Sequence, residues 1–170
     1  MKFIKIPVIL FFLILVAKDG FAGSTSATIN ITGRITASPC TVDTETVNQS
    51  IDLGKVYAHD ISAGSGSDWK SFQLSLSKCP VGTSSVTVTF TGNPASDNNY
   101  FANSGSAEGV VLQISDSAHS VSYGNSDTLT ESIDADRNVV FPLEARMYNP
   151  GNKITSGDFN AVVQIDFTYQ

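Results

Sequence analysis

The residues best placed to do chemistry in this 170-residue chain are few and widely spread. Cys40 and Cys79 are the only cysteines, and His59 and His119 the only histidines. A zinc centre needs four protein ligands, or three and a water. Here each histidine stands apart from the others and from the cysteines. In an exported chain an isolated cysteine pair is read as one disulfide. Asp134-Ala135-Asp136-Arg137-Asn138 opens like a calcium loop. Its sixth position is Val139 where the sharp turn needs glycine, and its twelfth is Ala145 where a bidentate glutamate belongs. It is read as a polar turn. Trp69 beside Asp68 has the makings of a sugar-stacking platform, but a lone tryptophan at the start of a strand more often packs. Neither a Gly-x-Ser-x-Gly elbow nor His-Glu-x-x-His nor a glycine-rich phosphate loop occurs. A Ser-His-Asp triad leaves no sequence signature, and both histidines sit among polar residues that suggest solvated loops. Asn30-Ile31-Thr32 and Asn48-Gln49-Ser50 match a glycosylation pattern and are read as chance.

The compartment follows from the first 22 residues. Lys2 and Lys5 precede a run of apolar residues from Ile6 to Ala17, and Gly20-Phe21-Ala22 makes a small-residue exit. That is the layout of a secretory signal peptide. Lys18-Asp19 ends the apolar run well short of the roughly 20 residues that a membrane span needs. Cleavage after Ala22 removes three basic residues and one acidic residue, and takes the net charge from −6 to −8. An acidic surface without a basic cluster argues against nucleic acid and anionic membranes as partners.

The elements that would position these residues are short and alternating. Phe72, Leu74 and Leu76 alternate with polar residues, as do Val86, Val88 and Phe90, and Val110, Leu112 and Ile114 keep the same period. Phe141, Leu143, Ala145 and Met147 form another such row, and Ala161, Val163, Ile165, Phe167 and Tyr169 the last. Period-two alternation marks half-buried strands, and polar runs such as Asn93 to Asn103 mark the connections. About seven strands in one domain predict an antiparallel β-sandwich.

The two ends complement each other. The strongest strand, Asn160 to Tyr169, runs into the C-terminus, where an immunoglobulin-like sandwich would need one more strand to cover its edge. Ala27 to Ile35 is a spare alternating segment ahead of Cys40. It could fold back on its own groove, but only four residues separate Ile35 from Cys40. Donation of the spare segment into the next copy satisfies both ends, and such a head-to-tail contact builds open fibres.

With these residues in view, the chain resembles the pilins of the chaperone–usher pathway, most of all the small tip-adaptor subunits of type 1 fimbriae. The likeness runs through Pro39-Cys40-Thr41-Val42, Asp52-Leu53-Gly54, Ser62-Ala63-Gly64, Cys79-Pro80-Val81-Gly82-Thr83-Ser84, and Phe141-Pro142-Leu143 with Ala145-Arg146. It extends to a glycine fourteen residues from the end, Gly157, and a penultimate tyrosine, Tyr169. The resemblance implies an all-β, incomplete immunoglobulin-like sandwich lacking its last strand. It implies a signal peptide over 1–22, a donor-strand extension over 23–36 and a pilin domain over 37–170. Ala27, Ile29, Ile31, Gly33 and Ile35 would be the donor residues. Ala27 is smaller than the branched residue expected first in that series. Gly157, Val163, Ile165, Phe167 and Tyr169 would form the edge that receives a chaperone's strand and then a neighbour's. The implied partners are a periplasmic chaperone, an outer-membrane usher, neighbouring subunits and a tip adhesin. The implied destination is the cell-surface fimbrium, with no catalysis, metal or cofactor. A rod subunit and a single-domain adhesin or carbohydrate-binding module are the alternatives.

Overall fold

The computed structural model describes residues 28–35 and 39–170. Residues 1–27, which include the expected signal peptide and Ala27, and residues 36–38 lie outside them. The chain divides into two units between Arg34 and Ile35. In the first unit, residues 28–34 form no helix or strand. Of the nine-residue strand expected over 27–35, the described residues 28–35 form none. Its alternation remains, but a single extended segment has no ladder to satisfy its amides and carbonyls.

The second unit is built from eight strands and one helical turn. These are β1 (Thr41–Val42), α1 (Thr44–Val47), β2 (Lys70–Ser77), β3 (Ser85–Gly92), β4 (Phe101–Ala102), β5 (Val111–Asp116), β6 (Thr128–Ser132), β7 (Val139–Tyr148) and β8 (Val163–Tyr169). They make a five-stranded sheet ordered β1-β2-β7-β5-β4 and a three-stranded sheet ordered β6-β3-β8. All pairings are antiparallel. The two inner faces meet in one core containing Leu74, Leu76, Val86, Val88, Phe90, Phe101, Leu112, Ile114, Phe141, Leu143 and Ala145. Val86, Val88 and Phe90 are fully buried, and burial of such a side chain contributes about 1.5–3 kcal/mol. The all-β sandwich expected from the alternation is thus the observed fold.

Local chemistry explains two breaks in the pattern. Pro142 lies in β7, a central strand, where a missing amide would normally cost a ladder bond. It sits one residue past Leu143, the last β7 residue paired with β5, so β7 has already lost that neighbour. Cys40 and Cys79 form the expected disulfide, joining the residue before β1 to the region after β2. The Asp134–Asn138 turn closes on itself. The Asn138 N–H donates to the Asp134 carboxylate at 2.8 Å, and the Arg137 N–H donates to the Asp134 carbonyl at 3.1 Å. Among the described residues no group of acidic, cysteine or histidine side chains could hold a metal ion.

Candidate functional site: an apolar groove along an unpaired strand

β8 ends the three-stranded sheet. One edge pairs with β3, from Val163 opposite Gly92 to Tyr169 opposite Val86. The other edge has no strand partner among the described residues. Val163, Ile165, Phe167 and Tyr169 point toward the core but remain half-buried, whereas the inward row of β7 is buried throughout. The difference has a simple cause: among the described residues, no strand covers the open side of β8. Partial burial still raises the phenol of Tyr169 above its ordinary pKa through desolvation.

Beside this edge runs a groove of about 1010 Å³. One wall is the chain from Gly157 to Ile165, the other the chain from Thr46 to Val56. Its floor is the side of the core, including Phe72, Leu74, Phe90, Leu112, Ala145 and Met147. In the second wall, Ile51, Leu53 and Val56 are half-buried. Among the described residues, the backbone of 48–56 makes a single hydrogen bond, from the Gly54 N–H to Asp52 at 2.8 Å. Two walls with free backbone groups above an apolar floor are what an inserted extended strand requires. Such a strand would gain ladder hydrogen bonds from the edges and apolar burial from below.

Each expected site residue can now be placed. Val163 and Ile165 line the groove; Phe167 and Tyr169 continue the same edge beyond it, with Phe167 tilted against Phe141 at 6.5 Å between centroids. Gly157 lines the groove but precedes β8. A Cβ at Gly157 would stand 2.4 Å from the Ala107 amide nitrogen, so glycine is required there for space. The strand expected from Asn160 begins only at Val163, because β3 ends at Gly92 and residues 158–160 bond to 103–107 instead. Of the expected donor residues, Ala27 lies outside the described residues. Ile29 and Ile31 are 80% and 90% exposed, Ile35 fully so, and a Cβ at Gly33 would meet only open space. Three large aliphatic side chains held in water are a liability unless something covers them.

Trp69 does not present a free ring. His119 stacks on it at 4.3 Å with planes 8° apart, and the Arg146 guanidinium lies 4.2 Å from its centroid. Both ligands of the ring come from within the fold, so the packing reading holds. His119 is an exposed turn residue, as expected, and it also contacts the Glu144 carboxylate. The other Glu144 oxygen accepts from the Ser71 hydroxyl at 2.8 Å. These hydrogen bonds, His119's first and Ser71's second, hold the Glu144 carboxyl below its usual pKa. The carboxylate stands between serine and histidine here. A hydrolytic triad needs histidine in the middle to take the serine proton, so this order activates no nucleophile.

The fold agrees with the relatives. The Fimbrial protein family is matched over residues 29–170. The chain belongs to that family. It is 37% identical over 144 residues to Protein FimG of Escherichia coli K12, covering 84% of each chain. It is 31% identical over 170 residues to the Type-1 fimbrial protein subunit of Serratia marcescens, covering 93% of this chain and 94% of that one. Among solved structures, the P pilus rod subunit PapA superposes with a TM-score of 0.67 over 78% of this chain and all of PapA, at 21% identity. This last likeness establishes the immunoglobulin-like pilin fold. The chain is a fimbrial subunit, a structural protein of surface fibres like the relatives it matches.

Proposed function

We propose that this fimbrial subunit polymerises by donor-strand exchange and serves as a minor tip adaptor in a chaperone–usher fimbria that supports adhesion. Residues Ala27, Ile29, Ile31, Gly33 and Ile35 of one copy enter the groove of the next, against the edge formed by Gly157, Val163, Ile165, Phe167 and Tyr169. One observation carries the reading: a groove with an apolar floor lies beside a strand edge that no described residue pairs, and the same chain carries exposed isoleucines at alternate positions. Before assembly the same edge is occupied by a strand of a periplasmic chaperone, which hands the subunit to an outer-membrane usher. An edge this apolar requires such cover. The adaptor placement rests on the sequence resemblance to tip adaptors.

Cross-linking tests the joint. Ile31→Cys in combination with a cysteine at position 163, 165 or 167 should yield a reducible ladder of linked subunits in fimbriae, and each single variant should not. Assembled fimbriae that yield no ladder from any of the three pairs would overturn the reading.

A further inference from the structure

The accepting edge is longer than β8, and the extension depends on one side chain. β8 pairs with β3 only as far as Val163, opposite Gly92. Upstream, residues 157–162 still form the groove wall, yet no strand of the sheet supports them. Their support comes from the loop after β4.

Asn103 is the centre of that support, with four hydrogen bonds from one amide. Its Oδ1 accepts from the N–H of Asn160 at 2.8 Å and of Gly105 at 2.9 Å. Its Nδ2 donates to the carbonyls of Ala107 at 2.7 Å and Asp158 at 3.3 Å. Around it, the Ser104 N–H donates to the Asn160 carbonyl at 2.7 Å, and the Ala107 N–H to the Asp158 carbonyl at 3.0 Å. The Asp158 N–H donates to the Ser106 hydroxyl at 2.9 Å. The two segments approach so closely that a Cβ on Gly105 would lie 2.1 Å from the Asp158 carbonyl oxygen.

The pattern along the wall gives this contact its meaning. Asp158 and Asn160 direct both backbone groups to the 103–107 loop. In an extended chain the intervening residues direct theirs to the opposite side. The backbone groups of Phe159 and Ala161 have no hydrogen-bond partner among the described residues, and their side chains pack on the core. We infer that Asn103 is a positioning residue that holds 157–162 in line with β8, so that Phe159 and Ala161 continue the free edge presented to the incoming strand. This rests on the donor-strand reading and adds the residues that determine how much of the donor is gripped.

The test compares the mature chain with its Asn103→Ala and Ser106→Ala variants, each checked for an intact disulfide and a wild-type circular dichroism spectrum. Binding is measured for a labelled peptide of sequence 23–36 and for two shorter peptides, one trimmed at its N-terminal end and one at its C-terminal end. Asn103→Ala should bind the full peptide about tenfold more weakly, and Ser106→Ala about threefold. The penalty should vanish for whichever trimmed peptide no longer reaches 157–162. Equal penalties for all three peptides, or none for any, would refute the positioning role while leaving the donor reading intact. A wild-type chain that ignores the full peptide would remove both.

Discussion

The donor segment allows the sharpest test, because the same two residues should matter greatly in one setting and not at all in another. Ile→Ala removes three carbons, each contributing about 0.8 kcal/mol when taken out of water. Ile29 and Ile31 are 80% and 90% exposed, so nearly all of that gain is still unrealised in the free chain. Complete burial in a neighbour's groove would then make the Ile29→Ala/Ile31→Ala pair cost about 4 kcal/mol, roughly a thousandfold in the stability of the joint. The free subunit should melt within a few tenths of a kcal/mol of wild type, because neither side chain leaves a packed position. Thr28→Asp, on the opposite side of the alternating segment, should be nearly silent. The assay pairs differential scanning calorimetry of the purified subunit with dissociation of assembled fimbriae over a guanidinium series. Two results would refute the reasoning: fimbriae of the double variant that dissociate like wild type, or a free double variant that melts several degrees lower. The second would mean that the isoleucines already pack on their own chain.

The Cys40–Cys79 bond closes a loop with a sequence separation of 39, and its removal by Cys40→Ser/Cys79→Ser should lower unfolding free energy by about 4 kcal/mol, read from urea titrations with and without reductant. Asp116 accepts from the Ser120 and Val121 amides and the Ser120 hydroxyl, and the Ser120 hydroxyl leads in lowering its pKa from 3.8 to about 2. A carboxyl depressed in the folded state stabilises above its unfolded pKa and loses that contribution as pH falls toward the folded value. Stability should therefore fall between about pH 4 and pH 2, and Asp116→Asn should flatten that part of the thermal-melt profile.

Much of the sandwich was legible because β2, β3 and β7 bury one face each, and β5 keeps the same apolar period although both its faces are buried. The rows through Leu74, Val88, Leu112 and Leu143 each lie on the strand that their alternation predicted. β6 was not legible. Thr128-Leu129-Thr130-Glu131-Ser132 has a single apolar residue, and its strand character comes from pairing with β3. The early start expected for the last strand had the opposite origin: Ala161 continues the apolar period, but β3 ends too soon to pair with it. Residues 28–35 show the limit of periodicity, since Ile29, Ile31 and Ile35 keep the alternation of a strand yet stand exposed in no sheet. The groove could be inferred only as a missing strand, since its second wall from Thr46 to Val56 carries no strand pattern. Asn103 sat in a run of turn-forming residues, and no feature of that run distinguishes a side chain with four hydrogen bonds from its neighbours.

The disulfide has a mechanical consequence for a fibre joined in the proposed way. Tension between subunits would enter each body through the backbone leading from Ile35 to Cys40. The first element on that path, β1, is two residues long and pairs only with Leu76 and Ser77, so a pull on its leading end would peel it away. The Cys40–Cys79 bond intercepts the load before it reaches β1 and transfers it to the chain just beyond β2. β2 is anchored to β7 through seven register pairs, from Lys70–Ala145 to Leu76–Val139. In such a fibre the covalent link would work as a strain relief: force would bypass the two-residue β1 and be spread across the sheet to which β2 and β7 belong. Under flow, a reduced fibre would unravel from its leading strand inward, whereas an oxidised one would have to shear β2 from β7 first.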